Sequence, residues 1–277
     1  MTTTSTLPTR RCLVGILTFL LVAAAGCTDK PKEAVGPAFF DDEAAALAAF
    51  QADPSPTNRA NLARIRALHG YRLLEQGQHN RDPAAITGAL RYAHRAKELV
   101  PDNAMYHFLL AQAYGENGDS PAGLALAASA ARRALELAPA DNRIRLYLGQ
   151  LLFRQKYFAS ALANFEIAIT SDLSLAQPPL ISMMTVAYVM DVLALRGEKF
   201  MLALLAAQPD NHAARLSLAV LLHHQGGAKD PLAYAELRKV QIAPTASQQD
   251  RDYAAKLTTL WPQEVPIGNA QAQGVRP

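Results

Sequence analysis

The chain has 277 residues, 50% hydrophobic and 18% charged, which is enough apolar surface for a sizeable core and too much for a disordered tail. Its net charge of +3 falls to +1 once Arg10 and Arg11 leave with the leader described below, and the basic residues are scattered along the chain, so nothing argues for a nucleic-acid partner. Abundant alanine and leucine, with one Trp and few β-branched runs, favour an all-α chain over a sheet.

Residues 1–26 read as a secretory leader, with Arg10 and Arg11, an apolar run over 12–25, then Gly26 and Cys27. The end of that run, VAAAGC, resembles the bacterial lipobox, in which small residues precede a cysteine that is diacylated, freed by signal peptidase II and acylated again. The resemblance makes Cys27 a lipidated mature N-terminus; an ordinary signal peptide followed by an unmodified Cys, or a twin-arginine signal over 9–13, are the alternatives. Each buried methylene of an acyl chain contributes about 0.8 kcal/mol, so several chains hold a protein stably. Thr28 follows the cysteine where an Asp would block sorting, which implies the outer membrane of a diderm bacterium, facing the periplasm. With Cys27 used by lipid and Cys12 removed, neither a disulfide nor a cysteine metal site is expected. Residues 27–38, with Lys30, Pro31, Lys32 and Gly36 and no periodicity, read as a flexible tether.

The folded part is expected over 39–261. Asp41 or Asp42 caps a first helix running through Phe50, a long helix follows over 57–76, and a loop occupies 77–82. Three pairs, Asp82-Pro83, Ser120-Pro121 and Asp230-Pro231, mark helix starts, because the side chain satisfies an orphan N–H and proline has none to satisfy. A nearly all-apolar stretch over 179–196 reads as one helix buried on most sides; it carries Asp191 and falls short of the ~20 apolar residues a membrane span needs. Ser247 opens a capping helix over 247–260 with Tyr253, Ala254, Leu257 and Leu260 inward, and residues 262–277 read as a disordered tail.

Between these elements the chain repeats itself. Ile144, Leu148, Leu151 and Leu152 mark one helical face, and Phe158, Ala161, Leu162, Phe165, Ala168 and Ile169 a second. The preceding unit aligns with it, Leu110, Ala111 and Gly118 matching Leu148, Gly149 and Lys156, and Ala127 and Ala134 matching Ala161 and Ala168. Small residues let two antiparallel helices approach, so Ala111 or Gly149 is expected to face Ala127 or Ala161. Repeat ends fall at Pro54, Pro101, Pro139, Leu173, Pro209 and Pro244, at intervals of 47, 38, 34, 36 and 35 residues. Each hairpin leaves an apolar flank that only a neighbour covers, so the pattern specifies a stack.

The segments AMYHFLLAQAYGENGD, AARRALELAPAD and RLYLGQLLFRQKYFASALANFEIAITSDL resemble the tetratricopeptide repeat family, with His107 in place of its usual Trp and Leu173 in place of its Pro. The resemblance implies a right-handed α-solenoid of stacked antiparallel helix pairs that binds peptides along a concave groove. It assigns to that groove Met105, Phe108, Gln112 and Glu116 in one repeat, and Arg143, Leu146, Gln150, Phe153 and Arg154 in the next. Phe108 and Leu146 suit packing on a neighbouring hairpin equally well. The family's carboxylate-gripping sites need Lys and Asn where this chain has Phe108 and Gln112, then Leu146 and Gln150, which argues against a clamp for a chaperone's carboxyl tail.

No motif for catalysis is legible. The seven histidines form no HExxH or i, i+4 pair, and His223-His224 read as a solvated helix end; Walker, Rossmann and GxSxG patterns are absent. The sequence therefore predicts a non-enzymatic, lipid-anchored scaffold of the bacterial envelope that needs no cofactor or metal and holds a protein or peptide partner. Polysaccharide or small-ligand handling beside a transport system, with Phe108, Tyr147 and Tyr188 stacking on sugars, is the alternative; a part in cytochrome c maturation is a third.

Overall fold

The computed structural model describes residues 38–118 and 120–261; the leader, Cys27, the tether up to residue 37 and the tail from residue 262 lie outside the described residues. The described chain is all helical and divides into two compact units, one ending at Val192 and one beginning at Leu193. The first contains α1 (Ala38–Ala52), α2 (Pro56–Asn80), α3 (Pro83–Leu99), α4 (Ala104–Glu116), α5 (Pro121–Leu137), α6 (Asn142–Arg154), α7 (Phe158–Ser171) and α8 (Pro178–Met190). The second contains α9 (Ala194–Ala207), α10 (His212–Gln225), α11 (Asp230–Ile242) and α12 (Gln248–Leu260).

In the first unit every helix packs on the next, and α2 also touches α4, which is the contact pattern of stacked hairpins α2–α3, α4–α5 and α6–α7. Short polar caps set the starts: Ser55, Asp82, Asn103, Ser120 and Asp141 each accept a backbone N–H of their own helix's first turn, and Pro56, Pro83 and Pro121 follow three of them. The core is a run of small residues with large ones wedged between. Ala63, Ala67, Ala89, Ala93 and Ala113 cluster with Leu74, Ile86, Leu109 and Leu110, and Phe108, Ala134 and Ile144 form a second cluster.

Several boundaries differ from the sequence reading, each for a packing reason. Helix α1 already runs at Ala38, so neither Asp41 nor Asp42 occupies its cap. Helix α2 continues through the predicted loop to Asn80, because Gly77 serves a close approach and not a turn: a Cβ there would collide with the Ile86 side chain of α3. The stretch expected as one helix over 179–196 breaks at Asp191-Val192, where Val192 takes φ +57°, although Ile181, Met184, Ala187 and Tyr188 are buried as expected. Among the described residues no helix is long and apolar enough to cross a membrane.

In the second unit α9 packs on α10, α10 on α11, and α12 on both α10 and α11. Asp230 is not a cap. It stands inside α11 after a 3₁₀ turn, Gly227–Lys229, and its carboxylate lies 2.7 Å from His223 Nδ1. His223 is correspondingly no solvated end: it is half-buried and stacked on Trp261 at 4.0 Å. Ala254 and Leu257 of α12 are buried as predicted, whereas Leu260 is exposed at the helix end.

Candidate functional site: the first-helix face of the first unit

The first helices α2, α4 and α6 are joined by side chains that bond to one another's carbonyls. Tyr71 of α2 donates its hydroxyl to the Met105 carbonyl of α4 at 3.0 Å. Tyr147 of α6 aims its hydroxyl at the Ala111 and Gln112 carbonyls at 3.4 and 3.5 Å, and it fits there because Gly115 presents no Cβ. Arg154 donates to the Gly115 carbonyl at 2.9 Å, placing a cation on the carbonyl-rich end of α4, where last-turn acceptors lack helical partners.

Burial dominates the chemistry of both tyrosines. It pushes Tyr71 up to about 12 against the opposing pull of Arg143, and Tyr147 up to about 12 with help from Glu116 and against Arg154. They are therefore neutral hydroxyl donors across the physiological range. Arg143 is held by Asp141, the cap of its own helix, at 3.1 and 2.7 Å, and this pairing keeps the Asp141 carboxyl below its ordinary range.

The nine groove positions named from sequence separate into two groups. Glu116, Arg143, Gln150 and Arg154 are exposed, and Met105, Gln112 and Leu146 are half-buried. Glu116 accepts from Gln78 of α2 at 3.1 Å, and the buried Oε1 of Gln112 has no hydrogen-bond partner among the described residues. Phe108 departs from the assignment: it is 8% exposed and packs edge-on against Tyr147 at 5.6 Å, so it fills the joint between α4 and α6. Phe153 is half-buried like Met105, Gln112 and Leu146, and meets Phe158 of its own hairpin partner edge-on at 5.4 Å. The aromatic platforms imagined for sugars are not available either. Phe108 and Tyr188 are buried, Tyr188 donating to Glu166 at 2.6 Å, and Tyr147 is half-buried with its hydroxyl turned inward.

Sequence reasoning missed Tyr71 and treated Tyr147 only as a sugar platform. The available signal was a phenol on an apolar helical stripe, which when buried needs an acceptor and here finds it on the next first helix. No group of three or more His, Cys, Asp or Glu placed to hold a metal occurs among the described residues.

No protein-family model and no curated protein matches the chain. Solved structures do. YrrB, described as a TPR protein with an unusual peptide-binding site, is 15% identical with a TM-score of 0.50, covering 76% of this chain and 98% of YrrB. The structure of Naa15/Naa10 bound to HypK-THB is likewise 15% identical with a TM-score of 0.50, covering 80% of this chain and 32% of that one. At this identity the likeness establishes the fold alone: stacked helical hairpins of the tetratricopeptide-repeat kind.

Proposed function

We propose that this chain, whose fold is that of tetratricopeptide-repeat proteins, is a non-enzymatic scaffold that holds a peptide or protein segment on the first-helix face of α2, α4 and α6, and that Cys27 tethers it by lipid to the bacterial envelope, on the periplasmic side of the outer membrane. The observation that carries the binding reading is the state of that face. Its aromatic hydroxyls and Arg154 are already committed to carbonyls, while Gln112 of α4 keeps a buried amide oxygen without a partner among the described residues and Gln150 of α6 an exposed amide. An amide row over an aromatic floor matches the N–H and C=O of a peptide backbone. Arg143 and Arg154 are each engaged within the protein, so the site selects for backbone and apolar side chains more than for a terminal carboxylate. YrrB, with its peptide-binding site, is a precedent for such a use of the fold.

A photo-crosslinking residue at Gln150 tests the binding reading against the same residue at Leu126, an exposed position on α5. Adducts from Gln150 that vanish in Gln112→Ala, with an unchanged helical melt, are the expected result; equal adducts from Leu126 would move the partner off this face. The anchor is tested by palmitate-analogue labelling, which Cys27→Ala should abolish.

A further inference from the structure

Helices α4 and α6 each cover the preceding first helix with the same row of positions. Leu109 of α4 lies against Gly70 of α2, and Tyr147 of α6 lies against Gly115 of α4, so the two glycines hold equivalent places. Counting back six residues from each makes Arg64 of α2 the equivalent of Leu109, and the same register pairs Asn61 with Tyr106, Ile65 with Leu110 and Leu68 with Ala113. In α4 all four positions are buried. In α2, Asn61, Arg64 and Leu68 are exposed and Ile65 is half-buried. Helix α1 leaves them uncovered because it holds the place of a second helix. It ends two residues before Pro54, as α3 ends two before Pro101 and α5 two before Pro139, and it packs on α2 as they pack on α4 and α6. Between α1 and α2 lies a cleft of about 430 Å³, with Asp42, Ala45 and Ala49 on one wall and Asn61, Arg64 and Leu68 on the other.

From this we infer that the α1–α2 cleft receives an amphipathic helix of a partner protein, seated as a first helix ahead of α2 and carrying an acidic residue for Arg64. The shape selects a helix: Asn61, Arg64, Ile65 and Leu68 form one stripe at helical spacing, and the small Ala45 and Ala49 opposite leave room for close packing. The charge selects the acid. Where the aligned Leu109 and Tyr147 are uncharged, Arg64 carries a cation that donates to Asn61 Oδ1 at 3.1 Å and has no ion pair among the described residues, Asp42 of the same cleft included. Both aligned side chains meet a glycine, so the carboxylate belongs beside a small residue of the incoming helix, within reach of the guanidinium fork. Another chain must supply that helix, a step that rests on the reading of Cys27 as the mature N-terminus. The eleven residues 27–37 are fewer than the 13 of α4 or α6, and they include Pro31 and Pro37.

The probe is a fluorescent peptide with the sequence of α4 and its flanks, Asn103–Asn117, in which Gly115 is followed by Glu116. Its binding to the chain 28–277, which retains every described helix, is read by anisotropy. The parent chain is expected to bind it, and R64E should weaken that binding about tenfold. A peptide carrying E116K should show the reverse preference, binding R64E about tenfold better than the parent. R132E, a charge reversal at an exposed position of α5, should leave both peptides unaffected. Absence of peptide binding overturns the proposal, as does an R64E chain that binds like the parent, a charge exchange that restores nothing, or an equal loss in R132E. A dimer of the parent in sedimentation that R64E dissolves assigns the cleft to a second copy and overturns it as well. The first-helix face and the anchor are read separately, since adducts from Gln150 and palmitate labelling at Cys27 persist in R64E, so failure here is distinguishable from failure of those readings.

Discussion

Hairpins α4–α5 and α6–α7 align helix for helix, yet they solve the same three problems with different chemistry. At the aligned buried position the first uses Ala111 and the second Gly149: a Cβ on Gly149 would strike the Phe165 ring, so that glycine accommodates a large aromatic and not the small Ala161 expected from sequence. At the joint with the preceding first helix, α4 inserts Leu109 beside Gly70 of α2, and α6 inserts the aligned Tyr147 beside Gly115 of α4. At the turn, the first hairpin has Gly118 with Ser120 capping α5, and the second has Lys156 and no side-chain cap. The comparison teaches that stacking fixes a backbone path and a set of volumes, and that the residues meeting them are exchangeable within those limits.

The largest effects should come from breaking the volume rule. Ala161 is fully buried in the second hairpin. Ala161→Leu overpacks it and should cost about 1–3 kcal/mol, read as a lower midpoint in thermal or denaturant unfolding. Gly149→Ala should be destabilising for the same reason despite alanine's advantage of about 1 kcal/mol in a helix, whereas α4 already carries Ala at the aligned position. A Gly149→Ala protein that melts above the parent would show that Phe165 swings aside and that the two hairpins differ less than their packing implies.

The joint gives the next effect. Tyr147 is raised from its ordinary value of 10 to about 12 by burial, so its contribution is complete below pH ~10 and is lost as pH climbs through the folded value near 12. A shift of this size corresponds to about 3 kcal/mol at strongly alkaline pH. Tyr147→Phe should therefore change stability little near pH 7, the hydroxyl contacts being long, and reduce the alkaline loss; Leu109 confers no such dependence on the first hairpin. Tyr71, raised for the same cause, should account for much of what remains.

What was legible from residues follows the same division. The stack, the buried alanines and the caps at Asp82 and Ser120 could be read because spacing and short polar side chains encode them locally. Phe108 could not be placed: it sits at a groove-like position along its helix, and only the neighbouring Tyr147 decides that it points inward. Asp230 looks like Asp82 in sequence, but a 3₁₀ turn shifts the helix start and frees its carboxylate for His223. The face of α2, α4 and α6 was half visible, its amides and arginines by alignment and its tyrosine-to-carbonyl bonds not at all, because those depend on distances between repeats.

A smaller loss is expected at the cap that only the first hairpin has. Ser120 accepts from the Gly123 N–H at 3.1 Å, and Ser120→Ala should cost about 1 kcal/mol. Tyr157, the corresponding residue before α7, makes no side-chain bond, so Tyr157→Ala should show no comparable capping loss.

The smallest effect has the opposite sign and concerns the turn. Lys156 adopts φ +64° with its N–H bonded to the Phe153 carbonyl and the Tyr157 N–H bonded to the Leu152 carbonyl, both at 2.9 Å, a helix ending that normally places glycine at this position. A left-handed side-chain-bearing residue costs about 1 kcal/mol through its Cβ, and glycine gives back part of that by the freedom it gains in the unfolded chain. Lys156→Gly should thus raise stability by roughly 0.5–1 kcal/mol, and Gly118→Lys should lower it by more than that, since φ +112° lies outside the left-handed region open to a side-chain-bearing residue. The same exchange at Val192, a β-branched residue at φ +57° and 84% exposed, should stabilise at least as much, since branching worsens the clash. If Lys156→Gly and Val192→Gly both melt below the parent, the left-handed turns are held by side-chain contacts and not by backbone fit, and the two hairpins differ in kind at their turns.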